Sequence, residues 1–414
     1  MPAASASSSS ADRGLVSSGS TPDLVVVGAG VLGAWTALAA QRAGLQTVLV
    51  DAYGVAHSRA TSGDETRIIR ASHGDDVLYT RWSRQALDGW RRFADESVET
   101  LFVGAGALWF AHRADGFEAA SERTLRAEGI PVERLDPSEV AARWPQVSVD
   151  RLAFALHEPE AGLLMARRGV KAVVRAFVAA GGRFELADVR PNAGTDGRLD
   201  HVITADGGRL GGGAFVFACG PWLARLFPSV VGDLIRVTKQ DVVFLGPGAG
   251  DGRFAAEWLP CWVDYDASFY GVPAVDGRGP KAAPDRYGPV FDPSEGERIV
   301  DPDTVRLARR YLAFRFPALA DQPVVETRVC QYETTPDTHF IIDRHPDLAN
   351  AWIVGGGSGH AFKHGPVIGE LVASLVRGAD REPEHERFRL DRPRIPAAGP
   401  RSGGDSIVGW WEGR

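Results

Sequence analysis

Leu24-Val25-Val26-Val27-Gly28-Ala29-Gly30-Val31-Leu32-Gly33 passes without a break from an apolar, β-branched run into the pattern G-x-G-x-x-G. Four consecutive apolar residues are what a strand buried on both faces requires. The glycines have separate tasks. Gly28 permits a tight turn, Gly30 lets the backbone approach a pyrophosphate, and Gly33 lets the next helix pack close to the strand. Ala29, Val31 and Leu32 fill the intervening positions, opening a helix over 31–43 whose amide-rich N-terminus faces phosphate. Gly44 ends that helix, 46–50 returns as a second strand, and Asp51 stands at its C-terminal end. A carboxylate there accepts hydrogen bonds from adenosine ribose hydroxyls and repels a 2′-phosphate. Strand, glycines, helix, strand and acid in register read as a dinucleotide-binding unit, with NAD and FAD both open at this point.

The rest of the composition narrows the partners. At 414 residues and 44% hydrophobic, the chain can bury one large core or two that share an interface. A net charge of −7 argues against nucleic acid, which selects a basic face, and in favour of a small molecule. Cys219, Cys261 and Cys330 are far apart, so neither a disulfide framework nor a zinc spacing is present, and no metal is expected. That usage fits a reducing cytoplasm. Residues 1–21 are rich in Ala and Ser and read as a disordered leader. No run approaches the roughly 20 apolar residues of a membrane span, which predicts a soluble chain with no membrane partner.

Further along, Arg67 and Arg70 are three apart and flanked by apolar residues; spacing alone makes them surface ion-pairing arginines. The stretch 76–93 is amphipathic at helical spacing, with Trp82, Ala86, Trp90 and Phe93 on one face as core. Short strands over 101–112 and two polar helices over 117–144 open a second domain. A helix is expected over 169–180, a strand over 183–189, and a small hairpin over 201–210. The run 214–217, ending at Ala218-Cys219-Gly220 before Trp222, is a buried strand that returns the chain to the parallel sheet. The segments 234–245 and 261–275 are strand-rich and aromatic, and Lys281 lies in a Gly/Pro/Ala stretch, 277–284, that reads as a solvated loop. A strand at 351–354 ends in Gly355-Gly356-Gly357-Ser358-Gly359-His360 before a helix over 366–376, a second close backbone approach to a ligand.

With these motifs in place, the chain from about 24 to 392 resembles the monomeric sarcosine oxidase and N-methyltryptophan oxidase family of flavoproteins, within the D-amino-acid-oxidase-like superfamily. The likeness is carried by the glycine fingerprint, Gly63-Asp64-Glu65-Thr66-Arg67-Ile68-Ile69-Arg70, Phe269-Tyr270-Gly271-Val272-Pro273 with Lys281, Cys330-Gln331-Tyr332, and Ser358-Gly359-His360-Ala361-Phe362-Lys363. It implies a Rossmann-type α/β FAD-binding domain, discontinuous over 22–100, 163–233 and 334–392. An antiparallel-sheet α+β substrate domain would take 101–162 and 234–333, and 393–414 would be a tail, with Trp410 and Trp411 as its candidate docking residues.

The resemblance also implies roles. Cys330 holds FAD through a thioether, although taken alone it reads as an inert core cysteine. Lys281 serves oxygen activation, Arg67 lies against the flavin ring, and Arg70 and Lys363 grip a substrate carboxylate. Tyr270 and His360 line the substrate cavity, while Ala52, Ser62, Val189, Ala218, Gly220, Trp222, Gly357, Gly359 and, beside its substrate role, Lys363 join the cofactor shell. Family members that act on sarcosine carry histidines where this chain has Gly63 and Asp285. Gly63 is expected to remove bulk near the flavin, and Asp285 to bring a carboxylate to the substrate, which points away from sarcosine itself. The implied activity is oxidation of a secondary, N-methylated or cyclic α-amino acid to an imine by a monomer, with O2 reduced to H2O2. Asp285, Tyr270 and His360 all remain open as acceptor of the amine proton. The alternatives are a flavin dehydrogenase with another electron acceptor, a non-catalytic flavin-binding protein and, last, an NAD-dependent dehydrogenase.

Overall fold

The computed structural model describes residues 21–194 and 196–396. The first strand, β1 (Leu24–Val27), leads into helix α1 (Val31–Arg42) and strand β2 (Thr47–Asp51). β1 is central to a six-stranded sheet. In spatial order its strands are Ile341–His345, Leu348–Gly355, Ala214–Phe217, β1, β2 and Arg183–Leu186, parallel except for the first, an antiparallel edge. Alternation along β1 and β2 divides the core between the two faces of this sheet. Leu24, Val26 and Leu49 pack with the helices, whereas Val25, Val27, Val48 and Val50 pack with Val189 and Val202 of a three-stranded antiparallel sheet. Helices on one face and a small sheet on the other make a Rossmann-type layer.

On the helical face α1 lies against Gly365–Val376, where Gly365 leaves room for the indole of Trp35 and Gly369 for the Trp35 backbone. Trp35 meets Trp90 edge-on at 5.1 Å between ring centroids. Trp82, Ala86, Trp90 and Phe93 of the helix Val77–Asp95 are all buried, as their spacing predicts, and Asp76 caps that helix.

The second body of structure is an eight-stranded sheet whose neighbours run antiparallel, except that Cys261–Asp264 runs parallel to Ala107–Ala111. Helix Pro302–Arg315 covers its outer face. Among the described residues no helix is long and apolar enough to cross a membrane.

Two expectations change. The single strand over 183–189 is two, Arg183–Leu186 beside β2 and Val189–Ala193 in the small sheet, because the chain leaves one sheet for the other at Ala187-Asp188. The loop over 277–284 contains a strand, Lys281–Pro284, paired on both sides, and Lys281 is only 2% exposed. Local composition suggested a turn; two neighbouring strands supplied the hydrogen-bond partners that made it sheet. Residues 1–20 of the expected leader and 397–414 of the expected tail, with Trp410 and Trp411, lie outside the described residues.

Candidate active site

A cavity of about 810 Å³ runs from the C-terminal ends of β1, β2 and Ala214–Phe217 to the strands of the eight-stranded sheet. At the sheet end its wall includes Gly28, Gly30, Val31 and Leu32, with Asp51 and Ala52 beside them. Val189, Ala218, Gly220 and Trp222 continue that wall. Asp51 is held in place: its Oδ2 accepts the amide of Ala29 at 2.7 Å, and its Oδ1 accepts those of Tyr53 and Gly54 at 2.8 and 2.9 Å. The hydroxyl oxygen of Ser62 accepts the Val31 amide at 3.1 Å.

The glycines of the fingerprint separate by what surrounds them. A Cβ on Gly28, at φ +104°, would strike the Ala218 carbonyl, and one on Gly33 would strike the carbonyl of Gly28. Gly30 is different. Its φ of −72° suits any residue, and the nearest atom to a Cβ there is Ser62 Oγ at 3.6 Å. The protein's own packing does not demand that glycine. The open backbone at the helix N-terminus fits a pyrophosphate, and the fixed carboxylate of Asp51 fits a ribose, so these residues fit FAD. Ala29 and Gly33 act behind the wall, through an amide and through close packing.

In the middle of the cavity Cys330 Sγ lies 3.4 Å from Arg67 Nη2. Arg67 Nη1 donates to Asp64 Oδ2 at 2.7 Å, and the same oxygen accepts from Lys281 Nζ at 2.9 Å. Burial opposes the charge of Asp64, but Lys281 and Arg67 together hold its carboxyl below the ordinary range. At the far end Arg70, Lys363, Tyr270, Asp285 and His360 share the wall with Gly357 and Gly359. The Arg70 guanidinium lies 5.1 Å from the Trp109 ring centroid and donates to the Ser72 carbonyl. Lys363 is buried, and its carbonyl accepts from Trp90 Nε1 at 2.9 Å. Burial, then the charges of Arg70 and Lys363, hold the neighbouring His73 well below its ordinary pKa, so it adds no further positive charge at neutral pH.

A family model described as FAD dependent oxidoreductase matches residues 23–375. The chain belongs to the FAD-dependent oxidoreductase family. Over 384 residues it is 27% identical to a monomeric sarcosine oxidase of Bacillus sp. (strain B-0618), covering 90% of this chain and 96% of that one. It is 26% identical to an N-methyl-L-tryptophan oxidase of Salmonella dublin, covering 89% and 98%. A crystal structure of L-proline dehydrogenase from P. horikoshii superposes with a TM-score of 0.77 at 19% identity, covering 89% and 97%. The chemistry of this FAD-dependent oxidoreductase is flavin-dependent oxidation of an amine.

Several residues of this oxidoreductase stand elsewhere than their motifs suggested. Lys281 is not on the cavity wall; its ammonium donates to Asp64 and to the Thr66 carbonyl at 2.9 Å each. Arg67 and Arg70 are not surface ion pairs, because Arg67 sits on strand Thr66–Ile69, which pairs with Gly162–Met165 inside the molecule, and Arg70 follows directly. Gly63 does not relieve crowding at the cavity. A Cβ there would strike the His57 carbonyl, so its own loop requires glycine. Sequence reasoning missed two buried acids. Glu158 grips the segment after Arg70, and Glu333 lines the cavity. The available signal for Glu333 was an ionisable residue directly after Cys330-Gln331-Tyr332, in the buried last four residues of its strand.

Proposed function

We propose that the protein is an FAD-dependent oxidase that converts a secondary, N-methylated or cyclic α-amino acid to its imine and passes the electrons to O2, giving H2O2. The observation that carries this reading is that Arg70 and Lys363 line the same cavity as the fingerprint glycines. A guanidinium fork and an ammonium beside neutral His73 make a site for one carboxylate. FAD held along this wall would supply the acceptor for the electron pair of the substrate C–H bond and the route from there to O2. Arg70 and Lys363 orient the amino acid by its carboxylate, and Tyr270, whose phenol burial pushes well above its ordinary pKa, stays neutral and supplies a wall. The amine proton then falls to Asp285 or His360, both on the wall.

Cys330 on the cavity wall, its sulfur held 3.4 Å from Arg67 Nη2, supports attachment of the flavin through sulfur. Lys281 and Arg67 around a single carboxylate leave one net positive charge next to the cavity, suited to the superoxide anion formed when O2 takes up an electron.

The test is peroxide release and oxygen uptake with a panel of N-methyl and cyclic amino acids and their decarboxylated analogues. Turnover confined to carboxylated amines supports the reading. Failure of every carboxylated amine overturns it, and substrate oxidation without oxygen uptake replaces the oxidase by a dehydrogenase. Flavin colour that survives denaturation and vanishes in Cys330→Ser checks the thioether.

A further inference from the structure

Glu333 lies on the cavity wall three residues beyond Cys330 on strand Val324–Thr334, and nothing in the amine oxidation uses it. It is buried. Its Oε1 accepts the Gly357 amide at 3.3 Å, while Oε2 has no hydrogen-bond partner among the described residues. Residues without side chains frame the carboxyl head: a Cβ on Gly220 would lie 3.6 Å from Oε2, and one on Gly357 3.2 Å from Oε1.

The surroundings offer little to hold a negative charge. Val237 stands opposite on the neighbouring strand, and the 355–359 loop contributes its backbone. Cys219, just past the end of Ala214–Phe217, donates from its thiol to the Val27 carbonyl at 3.4 Å and is pushed well above its ordinary pKa by burial and then by the charges of Asp51, Glu333 and Asp188. Arg67, on the same wall, is engaged with Asp64 and the Thr61 carbonyl. A buried carboxylate with one amide and no cation becomes neutral rather than remain charged. Burial pushes Glu333 up to about 8, with the Gly357 amide only partly opposing it. The neutral acid is an O–H donor, and a flavin nucleotide offers ring carbonyls, ring nitrogens and ribityl oxygens as acceptors.

We propose that Glu333 is a cofactor-binding residue outside the fingerprint: a protonated carboxylic acid that donates its hydrogen to an acceptor atom of FAD, so that cofactor binding retains that proton and takes one up in alkaline solution. The inference concerns chain and cofactor alone and stands whichever amine is oxidised.

The experiment uses the full-length Cys330→Ser chain freed of FAD, in which binding stays reversible. FAD is titrated by flavin fluorescence between about pH 6 and 9.5, and by calorimetry in buffers of different protonation enthalpy. Near pH 6 no proton should be exchanged; near pH 9 uptake should approach one per FAD, with Kd rising by up to about tenfold per pH unit above the free group's pKa. Glu333→Gln in the same background, neutral and still a donor, should remove both the uptake and the slope. Binding near pH 9 with no proton uptake overturns the proposal without needing the variant to fold. So does a Glu333→Gln chain with an unchanged slope, or one that binds FAD more tightly near pH 6, the mark of an ionised acid repelling the cofactor.

Discussion

Lys281 Nζ donates to Asp64 Oδ2 at 2.9 Å across 217 positions of chain, and the same oxygen accepts from Arg67, which lines the cavity. Charge at Lys281 therefore reaches the cavity through one carboxylate. Lys281→Met keeps the apolar stem and leaves Asp64 paired with Arg67, at a stability cost of about 3 kcal/mol. Flavin reduction by substrate should be little affected, and reoxidation by O2 should slow by about two orders of magnitude or more, a loss of the kind seen when one charge-stabilising donor is removed. Stopped-flow measurement of the two half-reactions separates them; equal slowing of both contradicts the assignment.

Glu158 fixes the backbone that follows Arg70. Its Oε2 accepts the Ala71 amide at 2.6 Å, and its Oε1 accepts the Ser72 amide, the Ser72 hydroxyl and Trp109 Nε1 at 3.2, 2.5 and 2.9 Å. In Glu158→Gln one acceptor becomes an amide that faces a donor, at a cost of about 1–3 kcal/mol. KM for the carboxylated substrate should rise about tenfold, equivalent to about 1.4 kcal/mol, with a smaller change in kcat. Steady-state kinetics and thermal melts check it, and a fall in kcat alone would show that Glu158 does not act through the carboxylate grip.

Gly30 and Gly33 should respond to alanine in opposite ways. Gly30→Ala meets no atom closer than 3.6 Å and has a permitted φ, so the cofactor-free chain should melt within about 0.5 kcal/mol of the parent yet bind FAD poorly. Gly33→Ala drives a methyl into the Gly28 carbonyl and should destabilise the fold itself by about 1–3 kcal/mol. Flavin content and calorimetry on both variants distinguish the two kinds of loss.

Stability without cofactor should fall with pH because of Glu333. Its folded pKa is raised to about 8, so from the ordinary carboxyl range up to that value the folded chain keeps a proton that the unfolded chain has lost. The stabilisation is complete in acid and is lost at up to about 1.4 kcal/mol per pH unit on the way to pH 8. Denaturant unfolding of the FAD-free parent and of Glu333→Gln over that window should diverge by this slope; parallel curves would show an unshifted Glu333.

Legibility in the sequence followed the range of the interactions. The unit Leu24–Asp51 was readable because strand, turn and helix are neighbours in sequence, and the burial of Trp82, Ala86, Trp90 and Phe93 followed from helical period alone. Lys281 was misread because Gly, Pro and Ala around it look like a loop until strands from 236–245 and 269–272 close on both sides. Glu158 gave no signal, since its partners Ala71 and Ser72 lie more than 80 residues away.

What the sequence determined by itself is the nucleotide-binding unit, the family resemblance and the set of charged residues within its motifs; those are properties of short segments and of their order. Tertiary structure alone decided that Arg67, Asp64 and Lys281 share one carboxylate, that Cys330 faces a guanidinium, and that Glu333 is enclosed with an idle oxygen. The physical reason is that the charge state and partners of a buried ionisable group depend on which distant strands exclude water from it, and excluded water leaves no trace in a local pattern.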